Sequence, residues 1–462
     1  MRIALIAPFG LRAKGTTRAR ALPLARALAR RGHLVALFIP PYDSPEDSGQ
    51  RWRDGGVEVV NVALPAGCRR VPAGENVQDA ALRSGDESPG YRATPRERGW
   101  VCRAVFGAFE ALWYFRLTWR LLRAVRVWRP DVVHVFKPKG PSGLVGAALW
   151  ATRGGRSQRG RPQGIAPSAF VSLFPCVPVS LSPRLRVTPS PRPLVIDSDD
   201  WEGPGGWNDD PRAGYSRLQR RFFAWQERFG LSHAAAWTVT GRCLRDRAIS
   251  FGADPERVFV MPNGESDWVL GIRYWVCQYP IPNTQSLLLY TRFAGVLVSD
   301  VVALWGRVRA RVPDATLTVV GRGLGGEERE LAGLPGVEVA GWVEPEDLPA
   351  LFARMTLAVV PWADTPANRA RSSAKVLELM AAGLPVVAYA VGELPVTVGD
   401  GGVLVPAGDV EAFAAAVAGL LADSEQARAL GAHGRGRVLR EYNWDRLAEI
   451  ALEAYAAGVG GG

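Results

Sequence analysis

The stretch Leu351 to Pro395, LFARMTLAVVPWADTPANRARSSAKVLELMAAGLPVVAYAVGELP, reads as strand, polar loop, helix and strand in succession. Leu357 to Val360 is a short apolar run closed by Pro361, the pattern of a parallel strand buried on both faces. A loop of Asp, Thr, Pro, Asn, Arg and Ser follows, with Asp364 and Asn368 in it. Ser372 and Ser373 offer caps for a helix that carries Val376, Leu377, Met380 and Ala381 on one face. Gly383 and Pro385 stop that helix and open the strand Val386 to Tyr389. The loop and helix start bring backbone N–H groups beside Arg369, Arg371 and Lys375, an arrangement that stabilises phosphate. Glu378, one turn further in, is placed to accept hydrogen bonds from paired sugar hydroxyls.

Outward from this unit, 462 residues suffice for two domains, and a hydrophobic fraction of 47% suits globular cores. The net charge of +11, from 56 Lys and Arg against 45 Asp and Glu, favours anionic partners without choosing among nucleic acid, phosphorylated sugars and acidic lipids. Five scattered cysteines and four isolated histidines form neither a disulfide framework nor a metal-ligand spacing, so no metal is expected. The opening MRIALIAPFG is too short in its apolar run for a signal peptide and reads as a first strand. No run of about 20 apolar residues predicts a spanning helix. A cytoplasmic protein is expected.

The chain opens with a strand at Arg2 to Ala7, a loop holding Lys14, Gly15, Thr16 and Thr17, an amphipathic helix from Ala19 to Arg31, and a strand at Leu34 to Ile39. That is a doubly wound beginning. Gly15, Thr16 and Thr17 can admit a phosphate to backbone N–H groups or shape an acceptor pocket, and a plain tight turn is the alternative. Residues 65–98 lack periodicity and read as a loop insertion. Trp100 to Trp128 is a long helix in which aromatic and aliphatic residues alternate with Arg103, Arg116, Arg120, Arg123 and Arg126. It suits either an anionic bilayer surface or packing on the first sheet with a basic outer face. Apolar bulk on this scale argues against nucleic acid as its partner.

The strand Pro130 to Phe136 delivers His134 and Lys137 to its carboxyl end, where ligands of open α/β sheets gather. A Gly, Arg, Ser and Pro-rich insertion at 152–193 follows. Leu194 to Ile196 then runs into Asp197, Asp199, Asp200, Trp201, Glu202 and, beyond a glycine turn, Trp207. These acids can hold a divalent metal or position and deprotonate an acceptor hydroxyl, with Trp201 and Trp207 against a sugar. A solvated turn is the plain alternative.

The second domain opens at Leu287 to Phe293, LLLYTRF, which sets Arg292 after a strand. Thr316 to Val320 ends in Gly321, Gly323 and Gly326, a formal GxGxxG with Glu338 further on. By pattern alone this admits an NAD-dependent oxidoreductase. Gly341 and Trp342 follow the next strand.

The segment Lys375-Val-Leu-Glu378-Leu-Met-Ala-Ala-Gly383-Leu-Pro385-Val-Val-Ala does not stand alone: with Pro262-Asn263-Gly264 and Tyr290-Thr291-Arg292-Phe293, it resembles the signature of family-4 retaining glycosyltransferases. The resemblance implies an α/β fold of the GT-B type, two Rossmann-like doubly wound domains facing a cleft. It divides the chain into an N-terminal acceptor-side domain at 1–264, a linker at 265–285, a nucleotide-sugar domain at 286–443 and a final helix at 444–462 crossing back. It implies a nucleotide-diphosphate sugar as co-substrate, no cofactor, and a glycan or lipid acceptor. Arg292 and Lys375 would neutralise the diphosphate, assisted by Arg371, Ser372 and Ser373, with Asn368 a further donor contact. Glu378 would hold the ribose, and Gly321, Gly323, Gly341 and Trp342 would meet the nucleotide. Asp199 and Asp200 stand where relatives often carry a His, and with Gly15, Thr16, Thr17, His134, Lys137, Trp201 and Trp207 would handle the acceptor. The family's second Glu, eight positions before Glu378, is Ala370 here, and Asp364 is the nearby carboxylate that would replace it. Without that Glu, a non-catalytic nucleotide-sugar binder is a further reading.

Overall fold

The computed structural model describes residues 1–11, 15–65, 100–152, 192–265 and 284–459, with the backbone course alone for 100–111. Lys14, most of both expected insertions and the linker piece Trp268 to Tyr279 lie outside the described residues.

Apolar runs of three to six residues, punctuated by Gly and Pro, build two sheets. The first contains β1 (Arg2–Ile6), β2 (Leu34–Ile39), β3 (Arg51–Asp54), β4 (Val57–Asn61), β5 (Val132–Phe136), β6 (Leu194–Ser198), β7 (Ala236–Val239) and β8 (Val258–Val260). Its order is β3-β4-β2-β1-β5-β6-β7-β8, parallel throughout except for β3, which pairs antiparallel with β4 at the edge. That hairpin turns at Gly55 and Gly56, both at positive φ, as a tight two-residue turn requires. The second sheet contains β9 (Ser286–Tyr290), β10 (Thr316–Val320), β11 (Val337–Gly341), β12 (Leu357–Val360), β13 (Val386–Tyr389) and β14 (Gly402–Val405). It is wholly parallel in the order β11-β10-β9-β12-β13-β14. In each sheet the order reverses beside the first strand of the domain, and ligands of such sheets bind at the strand ends there.

The final helix, Trp444–Val459, leaves the second domain and lies on the first. Its Trp444, Leu447, Ala448, Ala451 and Tyr455 pack with Leu24 and Leu28 of the helix Leu22–Arg30 and with strands β1 and β2. The opposite face of the first sheet is covered by the helix Trp100–Trp128, whose Trp113, Leu117, Leu121, Leu122 and Val125 enter the core. Its outward side carries Leu112, Phe115 and Trp119 at 42–54% exposure, next to Arg116, Arg120 and Arg123. The described rings therefore divide between core and surface.

His134 belongs to this core and takes no part in the cleft. It is fully buried, between the Tyr455 hydroxyl at 2.9 Å from Nδ1 and the Thr238 hydroxyl at 3.1 Å from Nε2. Thr238 gives its proton to Asp197 at 2.6 Å, so Nε2 must donate to it and Nδ1 accept from Tyr455. Burial, helped by the Arg20 charge, lowers the His134 pKa from 6.5 to about 3. The unfolded chain therefore takes up a proton that the fold refuses. The resulting stability is present above pH 6.5 and is lost as pH falls towards 3. Urea unfolding of wild type and His134→Asn across that range should show the wild type losing up to about 1.4 kcal/mol more per pH unit.

Candidate functional site

The carboxyl ends of both sheets open on one cleft of about 410 Å³. From the first domain it is lined by Gly15, Thr16, Arg20, Lys137, Asp199, Asp200, Trp207 and Asp210, and from the second by Tyr290, Arg292, Gly321, Trp342, Arg371, Ser372, Ser373 and Lys375.

On the second domain's wall, Gly321 crosses directly over the loop after β9. A Cβ there would sit 1.8 Å from the Thr291 carbonyl oxygen, and its φ of +112° is one that only glycine adopts freely. Arg292 follows Thr291, and Phe293 behind it is buried at φ +57°, a strained conformation for a bulky side chain. The first turn of the helix Ala374–Ala381 brings Lys375 into the same space, its Nζ 4.1 Å from the Tyr290 ring centroid. Ser373 caps that helix by accepting from the Val376 N–H. Glu378 does not reach the cleft wall. It is fully buried and bonded to the hydroxyl of Tyr290, which does line the cleft. Burial, then the charge and hydrogen bond of Glu378, drive the Tyr290 pKa far above its ordinary value.

Four further expectations on this side are corrected. Asp364 stands outside the cleft in a two-pronged ion pair with Arg369, at 2.5 and 2.7 Å: Asp364 precedes the Thr365 cap of the short helix Pro366–Ala370, Arg369 lies in it, and both side chains are exposed. Gly323 donates its N–H to Glu328 at 2.8 Å, and Gly325 donates to Glu327. The GxGxxG loop thus spends these N–H groups on its own carboxylates and offers no open pyrophosphate cradle there. Gly341 sits behind, its carbonyl taken by the Gly321 N–H at 2.6 Å. Asn368 is buried and donates to the carbonyls of Gly295 and Ala363, shaping the loop, and borders a second hollow beside Trp207.

On the first domain's wall, Asp199 accepts from the Thr16 hydroxyl, while Thr17 turns inward to the Phe9 carbonyl. Asp199 Oδ1 has no hydrogen-bond partner among the described residues, and burial raises the Asp199 pKa despite the pull of Lys137. Asp200 takes the Lys137 ammonium at 2.7 Å and the Trp207 indole N–H at 2.9 Å. Burial outweighs Lys137 and lifts Asp200 to about 6. Glu202 meets Lys137 at 3.2 Å and Lys139 at 3.1 Å. Burial would raise it, but Lys139 and Lys137 prevail and hold it near 2. Lys137 is therefore an internal counter-charge, held at φ +46° where the chain turns out of β5. Trp201 faces away, its ring 3.9 Å from the Arg247 guanidinium.

Two groups hold the walls together: Arg20, which sequence reasoning missed, and Arg371, which it placed at the diphosphate. Arg20 is fully buried and grips Asp197 through Nε at 2.8 Å and Nη2 at 2.6 Å. It also donates to the carbonyls of Met261 and Pro262 and to Asn263 Oδ1. Asn263 in turn binds Ser372 twice, N–H to Oγ at 3.0 Å and Nδ2 to the carbonyl at 2.7 Å. Nearby, Arg371 lies between Trp207 of one domain and Trp362 of the other, 4.4 and 4.6 Å from their ring centroids. Burial lowers its pKa to about 10, against the attraction of Asp200.

Facing parallel sheets whose carboxyl ends share one cleft make up the GT-B architecture. The chain belongs to the glycosyltransferases: residues 15–264 match the family described as Glycosyl transferase 4-like domain, and residues 296–423 match Glycosyl transferases group 1. It is 30% identical over 278 residues to the 2-deoxystreptamine N-acetyl-D-glucosaminyltransferase of Streptomyces fradiae, covering 54% of this chain and 62% of that enzyme. The chain thus spans less than two thirds of that relative's length. Sucrose-phosphate synthase from Thermosynechococcus elongatus shares the fold with a TM-score of 0.59 at 20% identity over 98% of each chain. Anabaena HepE, solved with UDP and glucose, does so with a TM-score of 0.56 at 15% identity, covering 98% of this chain and 99% of that one.

Arg20→Ala would strand the Asp197 carboxylate in the core and should cost about 3–5 kcal/mol in urea unfolding. Asn263→Ala removes the Nδ2 bond to the Ser372 carbonyl between the domains and the Oδ1 acceptor of Arg20, and should cost about 2 kcal/mol in the same measurement.

Proposed function

We propose that the protein is a retaining glycosyltransferase that moves a sugar from a nucleotide-diphosphate sugar to a hydroxyl of a glycan, lipid-linked or small-molecule acceptor. One observation carries this reading: Arg292, Arg371 and Lys375 line one wall of a cleft whose other wall presents Asp199 with an oxygen to spare. The family and the HepE complex with UDP and glucose support it. Arg292 and Lys375 stabilise the diphosphate as its bond to the anomeric carbon breaks, and the first turn of the Ala374–Ala381 helix adds its dipole. Asp199 accepts a hydrogen bond from the acceptor hydroxyl and orients its oxygen toward that carbon; as the new C–O bond forms, the hydroxyl's proton leaves with the departing diphosphate. Tyr290, backed by Glu378, presents a hydroxyl to the nucleotide. The nucleotide sugar is a co-substrate, and neutralisation of the leaving group is assigned to side chains, with no resident cofactor or metal.

The reading includes a cytoplasmic protein that rests on an anionic membrane face through Leu112, Phe115 and Trp119 with the arginines beside them. Among the described residues no helix is long and apolar enough to cross a membrane. Co-sedimentation with vesicles containing phosphatidylglycerol should fall at least fivefold in a Phe115→Ser, Trp119→Ser variant. Unchanged sedimentation removes the membrane part of the reading.

Saturation-transfer NMR with UDP, GDP and ADP should show one nucleotide bound, and Arg292→Ala should weaken it about tenfold or more while unfolding shifts by under about 1 kcal/mol. Equal losses of binding and stability, or no nucleotide bound by wild type, would refute the assignment.

A further inference from the structure

Resting on the transferase reading, the charges of the cleft also restrict the acceptor. Five carboxylates gather at and behind the first domain's wall: Asp197, Asp199, Asp200, Glu202 and Asp210. Among the described residues, three cations stand with them, each already in contact with a carboxylate. Arg20 meets Asp197 at 2.6 Å, Lys137 meets Asp200 at 2.7 Å, and Lys139 meets Glu202 at 3.1 Å. The opposite wall has the reverse balance, with Arg292, Arg371 and Lys375 lining it and Glu378 buried behind. A donor diphosphate takes the cationic wall, which leaves an incoming acceptor to face the acidic one. Asp199, only 9% exposed, keeps an oxygen without a partner among the described residues and is completed by an O–H or N–H donor. A phosphate at that place would meet like charge at short range in a partly desolvated space, and like-charge juxtaposition is strongly unfavourable.

We infer that the acceptor is a polyol bearing no phosphate next to its reacting hydroxyl, and that an amino group in place of a neighbouring hydroxyl improves it. The acidic wall attracts an ammonium and tolerates a neutral ring, and it repels a sugar phosphate or inositol phosphate. Asp210 is the carboxylate of this wall that lines both the cleft and the hollow next to it.

The test offers the full-length protein a radiolabelled nucleotide sugar with three purified acceptor sets: neutral glycosides and cyclitols, their amino counterparts, and their phosphate esters. Transfer is expected to the amino and neutral sets, with kcat/KM for any phosphate ester at least tenfold below its parent. The amino advantage should shrink between 20 and 200 mM NaCl, and Asp210→Asn should narrow the gap between parent and ester severalfold. A phosphate ester used as well as its parent overturns the assignment. So does transfer to none of the three sets while the nucleotide still binds. Failure to bind any nucleoside diphosphate would instead remove the transferase reading beneath it.

Discussion

The geometry of the cleft depends on the buried ion pair between Arg20 and Asp197. A guanidinium and a carboxylate removed from water are each costly, and such a pair persists only where every remaining hydrogen-bonding position is filled. Here they are filled from several directions. Thr238, itself bonded to His134 beneath Tyr455, donates to Asp197, while Arg20 spends its other N–H groups on Met261, Pro262 and Asn263. Asn263 carries the chain of bonds across to Ser372, next to the cap of the helix that presents Lys375. One polar thread therefore runs from the final helix through the first domain's core to the start of the donor helix. It fixes how the two walls stand relative to each other, which hydrophobic packing within either domain would leave open.

Much of the fold was legible because strands buried on both faces leave unbroken apolar runs, as at Leu357 to Val360 and Val386 to Tyr389. The edge hairpin at 51–61 went unread because its first strand, Arg51–Asp54, is exposed and polar. Its turn signal, Asp54-Gly55-Gly56, was nevertheless present. The polar loop after Pro361 folds a short helix, Pro366–Ala370, that went unread, capped by the Thr365 side chain accepting from the Asn368 N–H. In the site, the sequence pointed to Arg292, Lys375 and Asp199 because a charge at a strand or helix end is visible locally. It could not point to Arg20, whose partners are 177 and more than 200 positions away. Tyr290 was hidden for another reason: as the last residue of β9 it reads as one more apolar strand position, and only the packing of Glu378 behind it shows a polar task.

The departures from the family pattern have a common physical origin. Ala370, where the family resemblance implies a Glu, is completely buried against the apolar cluster of the first domain, in contact range of the helix Arg242–Ser250. A carboxylate there would be taken out of water, at a cost that only a close partner offsets. The next residue, Arg371, fills the seam instead, stacked between Trp207 and Trp362 and donating to the Ala294 carbonyl. The short helix that in this chain closes the seam between domains therefore cannot also offer an acid to a sugar. With Asp364 drawn outward to Arg369, the carboxylates that remain at the cleft, Asp199, Asp200 and Asp210, all belong to the first domain. On the proposed reading, contacts from carboxylates to hydroxyls come from the first domain, and Arg292 and Lys375 of the second face the diphosphate. Packing at Ala370 thus bears on the charge pattern of the cleft: the position that closes the seam is apolar, and the described carboxylates lining the cleft stand on the opposite wall.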